Sequence, residues 1–152
     1  LRKGEGDQSG DMFGDLELAA NALGICDAAC EQALAVIKDR QLRGDPLSAQ
    51  QLVQLKIGRM NMLTEALRAY VMRVAWEHDR KVHSNNAGLA MNLATDTVQE
   101  VTELNMDIHD GAGRAMERAA DKLARDAFIW SHLAGDTVQR LKIAGRVIRA
   151  AR

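Results

Sequence analysis

An all-α fold, an up-and-down bundle of the four-helix type, is what this sequence predicts, and three observations predict it. Ala, Leu, Met, Arg, Glu and Gln dominate the chain, and these are the residues that lose least on entering a helix. Aromatic residues make up only 3% and Pro46 is the single proline, so few positions interrupt a helix or favour a strand. Apolar residues recur at every third or fourth position over long stretches, which is the period of a helix face. At 152 residues the chain is one domain's worth, able to bury roughly two thirds of its unfolded surface around one core.

Residues 1–12 are polar and Gly-rich and read as a linker or tail, leaving 13–152 as the bundle. The first helix, Asp15 to about Arg40, carries Leu16, Ala19, Ala20, Leu23, Cys26, Ala29, Cys30, Ala33, Val36 and Ile37 as one stripe. It stops at Gly44-Asp45-Pro46, where Gly takes a left-handed cap and Pro cannot continue the helix. Ser48 is the expected cap of a second helix, antiparallel to the first, with a stripe from Leu52, Leu55 and Ile57 through Met60, Leu63 and Leu67 to Val71, Val74 and Ala75. A polar break at 81–86 ends it. The third helix runs from Ala87 to about Asp107 on Leu89, Leu93, Ala94, Thr97, Val101, Leu104 and Ile108, and stops at Gly111-Ala112-Gly113. A shorter helical piece covers about Glu117 to Asp126. Asp136 or Thr137 opens the last helix, whose stripe is Val138, Leu141, Ile143, Ala144, Val147 and Ile148. Stripes this wide leave apolar surface that one bundle does not cover, so self-association is expected.

Charge narrows the function. Twenty basic and 21 acidic residues are interspersed and sum to −1, which removes the basic footprint of a nucleic-acid binder. No apolar run looks long enough to span a bilayer, and no signal-peptide core stands at the start. Cys26 and Cys30 lie four apart on one helix, a spacing that suits two reduced thiols better than a disulfide and fits a reducing compartment. No Cys or His neighbour completes a zinc site, and the paired Glu-x-x-His of a di-iron bundle is absent, so no metal is expected. His78 and His83 flank a loop and read as surface residues.

Three blocks carry a more specific signal. Gly24-Ile25 is followed by Arg40-Gln41-Leu42-Arg43-Gly44, then Pro46-Leu47 and Gln50-Gln51. Ile108-His109-Asp110-Gly111-Ala112-Gly113 is followed by Arg125-Asp126-Ala127. Last comes Leu133-Ala134-Gly135-Asp136-Thr137-Val138-Gln139-Arg140, before an apolar helix. In order and spacing these resemble the C-terminal helical domain of the acyl-CoA dehydrogenase family: its Gly-Leu, its Arg-x-x-Phe-Gly turn and following Gln, its Ile-His-Gly-Gly-x-Gly turn, and its Tyr-Glu-Gly-Thr loop.

The resemblance implies that domain fold, with the family's N-terminal helical and middle β domains lying outside this chain. It also implies an FAD-dependent oxidation of the CH–CH bond of an acyl-CoA thioester, in which a carboxylate removes the α-proton while hydride leaves for the flavin. By the same resemblance Arg40 meets the FAD diphosphate, usually of a neighbouring subunit. Gln51, Ile108, Gly111 and Thr137 stand at other cofactor contacts, and Gly135 at a substrate contact. The base position falls on Ala134, or on Leu133 if the loop is shortened before it, and neither side chain accepts a proton. Some branches carry the base ten residues before the Gly that is Gly24 here, a place held by Gly14. Asp15 follows it where many relatives have an Arg for the substrate, and Glu17 is the nearest substitute base, one helical turn on. Arg43, Asp107, Asp110 and Asp136 replace the family's Phe, Gln, Gly and Thr, which sets three carboxylates near a diphosphate unless Arg43 or Arg114 pairs with them.

The function implied is thus a dehydrogenase homologue that is catalytically degenerate and assembles, as a homo- or hetero-oligomer, with acyl-CoA dehydrogenase-type subunits, one of them active. The alternative is a structural or interaction domain binding neither FAD nor CoA. The expected location is the cytoplasm, or the mitochondrial matrix in a eukaryote.

Overall fold

The computed structural model describes residues 8–82, 84, 86–111, 118–133 and 137–151. Among them lie helices α1 (Gln8–Asp39), α2 (Gln51–Asp79), α3 (Asn86–Gly111), α4 (Arg118–Leu133) and α5 (Thr137–Ala150). Between α1 and α2 stand two short strands, β1 (Gln41–Leu42) and β2 (Asp45–Pro46), and a 3-10 turn at Leu47–Ala49. The all-α bundle expected from the pattern is the fold found.

Side-chain pairs fix the directions. Asn105 Nδ2 donates to Gln32 Oε1 at 3.1 Å, and a Cβ built on Gly88 would lie 3.4 Å from Asp15 Oδ2, so α1 and α3 run parallel. Arg68 of α2 reaches Asp27 of α1 at 2.5 Å, while Lys56 and Arg59 of α2 reach Asp107 and Glu100 of α3, so α2 runs against both. Gln99 of α3 donates to Ser131 of α4 at 2.9 Å, which makes α4 antiparallel to α3. The connections from α1 to α4 are therefore up and down.

The core lies on α3, the helix touched by all the others. Ala90, Met91, Ala94, Val98, Val101 and Ile108 of α3 pack with Ala19, Ala22, Cys26, Ala29 and Ala33 of α1, all nearly or fully buried. The alanines on α1 let the two backbones approach closely, so van der Waals contact replaces side-chain length. Met60, Leu67, Val71 and Val74 close the core from α2, and Ala127 and Trp130 from α4. Burying a side chain such as Leu67 completely is worth about 1.5–3 kcal/mol.

Several expectations change. The first helix starts at Gln8, inside the stretch read as a tail, and ends at Asp39, before the Gly-Asp-Pro. That Gly-Asp-Pro belongs to a hairpin in which Gln41 pairs with Pro46 and Leu42 with Asp45. Arg43 (φ 57°) and Gly44 (φ 93°) both take positive φ, as a two-residue turn of the I′ kind requires. Ser48 does not cap α2. Gln50 precedes that helix with no side-chain cap, and Ser48 instead accepts a hydrogen bond at its carbonyl from Gln54 Nε2 at 3.0 Å. On α2 the residues Leu52 and Leu55 face out, as do Ala20 on α1 and Leu89 and Leu93 on α3. The fourth helix reaches Leu133, well beyond Asp126. On α5 the residues Leu141, Val147 and Ile148 are exposed rather than turned to the bundle.

The Gly14–Asp39 stretch of α1 is, against expectation, long and apolar enough by length and composition to cross a membrane. The central helix of a bundle passes the same test, and here the alanine face of α1 is buried against α3.

Candidate functional site

The sequence-chosen residues fall into groups at different levels of the bundle. Arg40 directly follows α1, and its carbonyl accepts a 2.8 Å hydrogen bond from the Leu47 N–H, which closes the hairpin onto the helix end. Gln51 is the first residue of α2, and Ile108 and Gly111 lie in the last turn of α3, so these four share one end of the bundle. Their exposures differ. Arg40 is half-buried, Gln51 is exposed, and Ile108 is only 2% exposed and packs in the core.

The charges at this end are not those the sequence suggested. Among the described residues Asp107 pairs with Lys56, Nζ to Oδ2 at 3.0 Å, and not with Arg43. Lys56 sits five residues into α2 and points across to α3, a reach no motif announces. Arg114 and the Asp110 side chain lie outside the described residues. With Asp107 matched by Lys56, and with Arg40, Arg43 and Gln51 as donors, the chemistry at this end fits an anionic group such as a diphosphate.

Thr137 and the loop before it belong elsewhere. Ala134, Gly135 and Asp136 lie outside the described residues, as does the side chain of Thr137, but the helices on either side are placed. Ser131 of α4 meets Gln99 of α3, and Arg140 of α5 meets Asp96 at 2.5 Å. From Gln99 to Gly111 is about 18 Å along α3. Ser131 and Arg140 therefore meet α3 well short of its Gly111 end, where Arg40 and Gln51 stand.

Glu17 lies near the start of α1, exposed, about 35 Å along that helix from Arg40. Gly14 has open space where a Cβ would stand. Asp15, one residue on, is half-buried with its carboxylate over Gly88 in the first turn of α3. An acidic group there faces the positive end of the α3 dipole, a favourable place for Asp and a poor one for the Arg that relatives carry.

Other ionisable groups have structural roles. The Glu77 carboxylate, 7% exposed, accepts from Arg73 Nε at 3.0 Å, Ser84 Oγ at 2.8 Å and Asn86 Nδ2 at 2.7 Å, which ties the end of α2 to the start of α3. The Asn86 and Ser84 donors, then Arg73, hold its pKa below the usual carboxylate range against the opposing effect of desolvation. No motif in the sequence marks it. Cys26 and Cys30 are free thiols, as expected, and burial pushes Cys26 up to about 12. Among the described residues no cluster of His, Cys, Asp and Glu could hold a metal ion. His78 is exposed, and His83 lies outside the described residues.

The arrangement defines a class: an α-helical bundle domain with hydrogen-bond donors gathered at one end. Residues 12–148 match the family described as acyl-CoA dehydrogenase, C-terminal domain, and the chain belongs to that family. It is 31% identical over 139 residues to a probable acyl-CoA dehydrogenase of Bacillus subtilis (strain 168), covering 90% of this chain and 36% of that protein. It is also 31% identical over 141 residues to the mitochondrial short-chain specific acyl-CoA dehydrogenase of Bos taurus, covering 91% and 34%. Among solved structures, butyryl-CoA dehydrogenase from Megasphaera elsdenii superposes with a TM-score of 0.82 at 29% identity, over 90% of this chain and 36% of that one. The chain thus spans about a third of the length of the relatives it matches.

Proposed function

We propose that this chain is the C-terminal domain of an acyl-CoA dehydrogenase-type flavoprotein subunit that has lost its own base and works beside an active homologue. The observation that carries the reading is the loop Leu133-Ala134-Gly135-Asp136, where the family's glutamate position holds a residue that accepts no proton. Glu17 is a weak replacement, since it is exposed and a full helical turn beyond Gly14.

In this reading Arg40 and Gln51 bind and orient the diphosphate of an FAD held mainly by another subunit, with Lys56 keeping Asp107 from repelling it. When bound, the flavin supplies the hydride acceptor. Gly135 would then serve the acyl-CoA, with Thr137 a further contact to the flavin. Leu52, Leu55, Met62, Met72 and Trp76 form an exposed apolar face on α2, which supports packing against another subunit.

The competing reading, a structural domain binding neither FAD nor CoA, draws on the enclosure of Ile108 and on Asp15 in place of an Arg. Purification of the full-length protein separates the two. A yellow protein with a flavin spectrum but no acyl-CoA oxidation of its own is the expected result, with activity appearing on co-expression with a homologue that keeps the loop glutamate. A colourless protein points to the structural reading, and acyl-CoA oxidation by the protein alone overturns the loss of the base.

A further inference from the structure

We draw no further inference here: the strongest candidate, the outward apolar face of α5 formed by Leu141, Val147 and Ile148 with Lys142, Arg146 and Arg149 among its exposed cations, carries nothing because nothing in the structure shows what covers it.

Discussion

Nζ of Lys56 lies 3.0 Å from Oδ2 of Asp107, across the gap between α2 and α3. The contact gives the carboxylate that replaces a family glutamine a cation of its own, so the Arg40 end does not meet an anion with a bare negative charge. The Asp107 side chain is 61% exposed, and an ion pair in such surroundings is worth about 0–1 kcal/mol. A double-mutant cycle on Lys56→Ala and Asp107→Ala should therefore give a coupling below about 1 kcal/mol that fades in about 1 M salt. A coupling of several kcal/mol that ignores salt would mean that the pair is desolvated.

Cys26 is expected to resist alkylation in the folded protein. It is fully buried in the core and desolvation, followed by the neighbouring Cys30 and Asp27, pushes its thiol up to about 12. Since the thiolate is the reactive form, only about one molecule in ten thousand carries it at pH 8. Iodoacetamide followed by mass spectrometry should label Cys26 only after denaturant is added. Rapid labelling of Cys26 in native buffer would show that α1 opens locally.

The sequence made the class of fold and the number of long helices legible, because periodicity of three and four residues persists where every helix was found. Which face turned inward was less legible. On α2 the line Leu52, Leu55, Met62 overlaps the line Met60, Leu67, Val71, Val74, and both have helical spacing, so only contact with α1 and α3 decides between them. The hairpin at 41–46 escaped notice because strands of two residues carry no alternation to read, and its turn places an arginine at positive φ. At the site, the family blocks found Arg40 and Gln51 at one end of the bundle, but they could not reveal Lys56, which comes from another helix. Nor does linear order show that Ser131 comes to lie against Gln99 in the middle of α3.

Glu77 should give the fold an acid-sensitive limb. Its pKa is lowered in the folded state, so its contribution to stability is fully present above the ordinary carboxylate value of about 4.3 and is lost as pH falls through the lower folded value. Glu77→Gln replaces an acceptor of three hydrogen bonds by an amide whose one oxygen can serve Ser84 and Asn86, leaving an NH2 donor against Arg73 Nε. Thermal melts should show the variant less stable than the parent at neutral pH, with the gap narrowing on acidification. A gap that stays constant down to the lowest pH would show that the carboxylate charge is not what matters.

Restoring a base alone should not restore chemistry. In the full-length protein Ala134→Glu is expected to give little acyl-CoA oxidation, because Asp15 stands where the family resemblance implies an Arg for the substrate, and its carboxylate lies over Gly88 at the start of α3. An anionic side chain beside an anionic ligand raises the barrier to binding as well as to reaction. Combining Ala134→Glu with Asp15→Arg should recover more activity than either change alone, measured as acyl-CoA-dependent reduction of an artificial electron acceptor. Strong activity from Ala134→Glu by itself would sink the idea.

The last expectation concerns the isolated 152-residue chain, which should show no measurable FAD binding near neutral pH. Arg40 and Gln51 offer donors at one end only, while Glu17 lies about 35 Å from Arg40 along α1. A ligand meeting that end alone gains two charge-assisted hydrogen bonds, about 1.5–3 kcal/mol each. Association costs an estimated 4–15 kcal/mol in lost freedom, so those contacts do not secure a complex. Arg40→Ala should shift the melting temperature only slightly, as expected for a residue that is not enclosed in the core. Calorimetry giving micromolar affinity for FAD, abolished by Arg40→Ala, would show that one chain gathers a complete cofactor site and that no second subunit is needed.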